Sequence, residues 1–89
     1  MIDDRAIRGP QVVVYATKTC QYCALATSYL RGKGVAFTEY DVSSDRNRAQ
    51  EMFKLTGQKG VPVLVINGTL VVGFNKNAID DALSNWLVF

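Results

Sequence analysis

Histidine is absent from the 89-residue sequence, and cysteine occurs only twice. The first absence excludes a Cys–His nucleophilic pair and imidazole metal ligation. The second excludes a four-ligand zinc site built from Cys and His within one chain. It also falls short of the cysteine density of a disulfide-stapled secreted scaffold. Long apolar runs are missing too. Val12–Val14 and Val63–Ile66 are of strand length, far below the roughly 20 residues that span a bilayer. The first ten residues are charged and mixed (Asp3, Asp4, Arg5, Arg8) and lack the layout of a signal peptide. The expectation is a cytoplasmic protein with no membrane contact.

Charge of one sign is nearly balanced by the other. Ten Lys and Arg against eight Asp and Glu leave a net charge of +2. The basic residues are scattered, whereas nucleic-acid binders concentrate them on one face with aromatics between. Solvated surface charge is the simpler reading, and no nucleic-acid partner is expected. Eighty-nine residues accommodate one domain with a modest core. The expected organisation is a single domain over 1–89, with 1–10 as an N-terminal extension.

What is present has a clear order. Val12–Tyr15 is a β-branched and aromatic run that reads as a buried strand. Cys23 to Arg31 carries helix formers, with Ala26 and Leu30, and Leu25 and Tyr29, each four apart. Gly32 and Gly34 end it. Ala36–Val42 alternates as a half-exposed edge strand. Ser43, Ser44 and Asp45 offer N-cap side chains. Ala49, Met52 and Phe53 then repeat at helical spacing, and Gly57 closes that helix. Asn67-Gly68 between Val63–Ile66 and Thr69–Val72 signals a hairpin, because a type I′ turn needs positive φ at both central residues. Ile79, Ala82, Leu83, Trp86 and Leu87 mark a last amphipathic helix. The order β-α-β-α-β-β-α predicts an α/β fold with a four-stranded mixed sheet, its first crossover right-handed and helices on both faces.

The chemistry points to Cys20-Gln21-Tyr22-Cys23. Cys20 falls at the start of the first helix, where unpaired N–H groups and the helix dipole favour a thiolate. The thiolate is the attacking species in disulfide exchange. Cys20 is therefore the candidate nucleophile, Cys23 the resolving thiol, and Lys18 a nearby positive charge. A lone C-x-x-C is often half of a zinc site, but its other half is missing here. Two inert buried cysteines are the remaining bland reading. A C-x-x-C in a βαβ context is a redox signature. Tyr22 either covers the disulfide or shapes a substrate groove. Val61-Pro62 opens the third strand as a plain starter, or as a cis unit whose Val61 backbone pairs with substrate. Gly73 either ends a strand or lets a ligand approach. Phe74 follows it, and Asn75 reads as the N-cap of the last helix.

These motifs together, from about Val12 to about Leu87, resemble the glutaredoxin family. The resemblance implies a thioredoxin-like fold, a cis Pro62, Cys20 as nucleophile and a glutathione groove along Tyr22, Val61 and the Gly73 turn. Four departures stand out. Gln21 replaces the usual Pro after the first Cys. Lys18 lies one residue closer to Cys20 than the family's Lys, and Gly60 replaces Thr before Val-Pro. In place of the usual Gly-Gly turn and following Asp stands Val72-Gly73-Phe74-Asn75-Lys76. Loss of that carboxylate removes a charge-assisted hydrogen bond of about 1.5–3 kcal/mol to glutathione's amino end.

Three functions follow as expectations. The first is a monomeric dithiol oxidoreductase of the glutaredoxin class. It acts on protein disulfides or glutathione mixed disulfides, with no tightly bound cofactor and glutathione as co-substrate. The second, suggested by the similarity of Gly73-Phe74 to glutaredoxin-like hydrogen donors, is a redoxin reduced by thioredoxin reductase that serves a protein such as ribonucleotide reductase. The third is an iron–sulfur cluster-handling protein in which two chains pool their Cys20 thiolates. It is disfavoured because family members that do this commonly lack the resolving Cys.

Overall fold

The structure is a computed structural model that describes residues 11–84. Its elements follow the expected order: β1 (Val12–Ala16), α1 (Gln21–Gly32), β2 (Thr38–Asp41), α2 (Arg46–Thr56), β3 (Val63–Ile66), β4 (Thr69–Val72) and α3 (Lys76–Ser84). The strands form one mixed sheet in the order β2-β1-β3-β4. β1 runs parallel to β2, with Val14 opposite Glu39, and antiparallel to β3, with Val14 opposite Leu64. β4 pairs antiparallel with β3 through the Asn67-Gly68 turn, whose φ angles of 52° and 85° are those a type I′ turn requires.

The period-two alternation of the central strands divides the core into two layers. Val12, Val14 and Ala16 of β1 and Leu64 and Ile66 of β3 face Cys23, Ala26 and Leu30 of α1 and Ile79 and Ala82 of α3. Tyr15 and Val63 face the other way and meet Met52 of α2. Two helices thus cover one face and one helix covers the other. Tyr15 donates a hydrogen bond to Glu51, and Arg48 pairs with Glu51 at 2.9 Å. The Arg48 guanidinium lies 4.0 Å from the Tyr40 ring centroid. This polar clasp ties α2 to β1 and β2 beside a small apolar layer.

Local chemistry explains the boundaries. Asp45 caps α2 by accepting the Arg48 N–H at 3.1 Å, and Gly57 closes it in the left-handed region at φ 72°. Asn75 caps α3 by accepting the Ala78 N–H at 3.1 Å.

Three sequence expectations change. β2 is shorter than Ala36–Val42, because only Thr38–Asp41 finds partners along the edge of β1. Phe53 is 48% exposed rather than in the core. The layer beneath α2 closes over Met52 alone, leaving Phe53 on the flank. Leu25 is exposed as well, since α1 buries the stripe through Cys23, Ala26, Thr27 and Leu30. Trp86, Leu87 and the N-terminal extension lie outside the described residues. Among the described residues, no helix is long and apolar enough to cross a membrane.

Candidate active site

The β1–α1 loop delivers Cys20 to the N-terminus of α1, where it is the N-cap residue itself. Its φ and ψ of −86° and 117° are extended, and its sulfur accepts the Cys23 N–H at 3.2 Å. This is the hydrogen bond that a Ser or Asp cap would receive, here made to a sulfur. Cys20 also donates its own N–H to Thr17 O at 3.4 Å. On the opposite side, the Cys20 thiol points at the Val61 carbonyl oxygen, 3.9 Å away.

Cys23 sits one turn inside α1 and is 2% exposed. Both cysteines are free thiols, Cys20 partly accessible and Cys23 buried. Burial, reinforced by the adjacent Cys20 thiol, pushes the Cys23 thiol up to about 12. The pair is therefore asymmetric. One sulfur is reachable and accepts an N–H bond, and the other is enclosed and holds its proton.

Residues at the start of β3 and the end of β4, which lie at the same end of the sheet, complete the surroundings. The Val61–Pro62 peptide bond is cis. Pro62 is buried, and its carbonyl accepts the Gly73 N–H at 2.8 Å, which brings the Gly73 turn beside the proline. Gly73 takes a φ of 83°, a region that glycine enters without a Cβ penalty. Cys20, Val61 and Phe74 all pack against the core layer of α1 and α3. Cys20, Val61, Pro62, Gly73 and Phe74 thus gather at one end of the sheet. Tyr22, 62% exposed, stands on the outer side of the first turn of α1. Asn75 is exposed, with its side-chain oxygen engaged in the α3 cap. Lys18 is exposed and lines a small cavity of about 180 Å³ with Thr17, Glu39 and Asp41. Hydrogen bonds from Ser43 hold the Asp41 carboxyl below its usual range, and the Lys18 charge adds to this.

Sequence reasoning missed one linkage. Tyr29 donates to Asp80 at 2.6 Å, Lys33 pairs with the same oxygen at 2.9 Å, and Tyr29 meets Phe74 edge-on at 6.0 Å. Together they anchor α1 to α3 and brace the Gly73-Phe74 turn. They also occupy Asp80, the first carboxylate after that turn. Tyr29 and Asp80 are 51 residues apart, and no local pattern pairs them. Among the described residues, no group of three or more Cys, Asp or Glu is arranged to hold a metal ion.

The glutaredoxin family model matches residues 12–71. The chain is 41% identical over 69 residues to an uncharacterized glutaredoxin-like 8.6 kDa protein in the rubredoxin operon of Clostridium pasteurianum. That match covers 78% of this chain and 92% of the relative. It is 34% identical over 62 residues to glutaredoxin 3 of Escherichia coli K12, covering 70% of this chain and 75% of the relative. The fold is similar to that of a point mutant of the thioredoxin-like protein BC3987. The TM-score is 0.77 at 27% identity, over 82% of this chain and 94% of the other.

Proposed function

The chain belongs to the glutaredoxin family, with a thioredoxin-like fold, and from that premise we propose that it reduces protein disulfides and glutathione mixed disulfides through Cys20 and Cys23. Thiol–disulfide oxidoreduction is the family's chemistry. The observation that supports these two residues is their asymmetry: Cys20 accessible at the helix N-cap, Cys23 2% exposed beneath it.

The reaction runs in two exchanges. The Cys20 thiolate attacks one sulfur of the target disulfide. A new S–S bond forms as the old one breaks, and the departing thiolate takes up a proton. Cys23 then gives up its proton and attacks Cys20 Sγ, expelling the second target thiol. The target gains two electrons and two protons, and the pair becomes an internal disulfide. Two glutathione molecules, oxidised to glutathione disulfide, return it to the dithiol. Tyr22, Val61, Pro62, Gly73, Phe74 and Asn75 line the glutathione groove, and Lys18 contributes charge at its edge. This reading favours glutathione as electron donor because the Val61-Pro62 and Gly73 elements meet beside Cys20.

Variants of each cysteine test the assignment. Cys20→Ser should abolish all turnover. Cys23→Ser should keep much of its activity on a glutathionylated peptide, which one thiol can process, and should lose activity on an internal protein disulfide. A wild-type protein inert toward glutathione but quickly reduced by thioredoxin reductase would overturn glutathione as the donor.

A further inference from the structure

A cavity of about 610 Å³ opens on the face of the sheet covered by α2. Its size is that of a ligand site, which typically spans about 300–1,000 Å³. The apolar part of its lining comes from Val42, Ala49, Met52 and Phe53. Phe53 is 48% exposed, although α2 carries a better-buried residue, Met52, beside it. Arg46, Lys54 and Lys59 stand around this apolar floor, and no Asp or Glu lines it. Among the described residues, none of the three cations pairs with a carboxylate.

The groove adjoins the reactive thiol from two directions. Thr17, which lines it, accepts the Cys20 N–H at 3.4 Å. Lys59, also in its lining, lies two residues before Val61, whose carbonyl faces the Cys20 sulfur at 3.9 Å. A protein whose disulfide reaches Cys20 therefore brings its neighbouring residues over this surface.

We propose that the groove docks an acidic segment of the protein substrate, with an aromatic or aliphatic side chain against Phe53, Ala49 and Val42 and its carboxylates against Arg46, Lys54 and Lys59. The inference rests on the disulfide-reductase reading above and adds the chemical class of its protein targets. Opposite charge steers encounter and fixes orientation, while the apolar contact supplies area removed from water. The groove lies beside the Cys20 end of the sheet, so it selects among proteins and leaves small disulfides indifferent to it.

The test uses the full chain and two synthetic peptides that share one internal disulfide. One flanks it with Asp, Glu and Phe, the other with Lys, Gln and Phe. At low ionic strength the protein should reduce the acidic peptide with kcat/KM about tenfold higher. The ratio should fall toward unity near ~1 M salt, where the screening length is about 3 Å. Arg46→Glu combined with Lys54→Glu should abolish or invert the ratio, and Phe53→Ser should slow both peptides. Turnover of the mixed disulfide of glutathione and 2-mercaptoethanol should stay at the wild-type level in every variant. Equal rates on the two peptides, or a ratio unchanged in the double variant, would overturn the groove while leaving the reductase reading intact. Self-association abolished by Phe53→Ser, with both peptides reduced alike, would assign the groove to a second copy of the chain and overturn the proposal. A wild-type protein inert toward both peptides as well as the small mixed disulfide, whether supplied with glutathione or with thioredoxin reductase, would overturn the reductase reading itself, and the groove's role with it.

Discussion

Cys20 and Cys23 carry the same side chain, and position alone makes them different. The Cys20 sulfur accepts a backbone N–H at the helix cap, while the Cys23 sulfur is enclosed by the α1–α3 layer. The C-x-x-C spacing is legible in the sequence because helical periodicity places the two on one turn. Enclosure of the second thiol is not legible, since it depends on Val14, Leu64 and Ile79 arriving from distant segments. Asn75 belongs to the same scale. Its side chain caps α3, a task Asp performs about as well, so Asn75→Asp should leave the fold intact. It should also place a carboxylate where the resemblance puts glutathione's amino end. The expected outcome is a lower apparent KM for glutathione, by about tenfold for a restored charge-assisted bond of ~1.5 kcal/mol. An unchanged or raised KM would remove this turn from the groove.

At the scale of elements, caps and turns were the most readable features. Asp45, Gly57 and the Asn67-Gly68 pair each act through their own backbone, so a few neighbouring letters suffice to identify them. The width of a buried stripe was less readable. Ala49, Met52 and Phe53 share helical spacing, but the layer under α2 consists of Tyr15, Met52 and Val63 with partly buried neighbours. A layer that small covers one side of the helix and leaves Phe53 outside. Since α2 buries so little, its cap carries weight. Asp45→Ala removes the acceptor for Arg48 N–H and should cost about 1 kcal/mol of stability in denaturant unfolding. Asp45→Asn should recover most of it. Equal losses for both substitutions would mean that the cap contributes through charge rather than through its hydrogen bond.

For the molecule as a whole, two buried protons link stability to pH. Cys23 rises from about 9 to about 12, through burial first. Tyr15 rises from about 10 to about 12, through burial and then its bond to Glu51. Between the unfolded and folded values, the unfolded chain has lost protons that the folded chain keeps, so stability falls as pH rises. The reduced protein should lose up to about 1.4 kcal/mol per pH unit above about pH 9 and more steeply once Tyr15 joins near pH 10. Cys23→Ala should flatten the first part of that decline and Tyr15→Phe the second, read by urea unfolding across the range. The order of elements and the sheet's two-faced core followed from local patterns; the groove beside α2 and the Tyr29–Asp80 anchor arise only when distant segments meet. The division of labour between the two thiols is the central claim, and competitive alkylation measures it most directly. The reduced protein is treated with less than one equivalent of iodoacetamide near neutral pH, and the label is mapped by mass spectrometry. Label on Cys20 with Cys23 unmodified is the predicted result; label on Cys23 first, or equally on both, would contradict it.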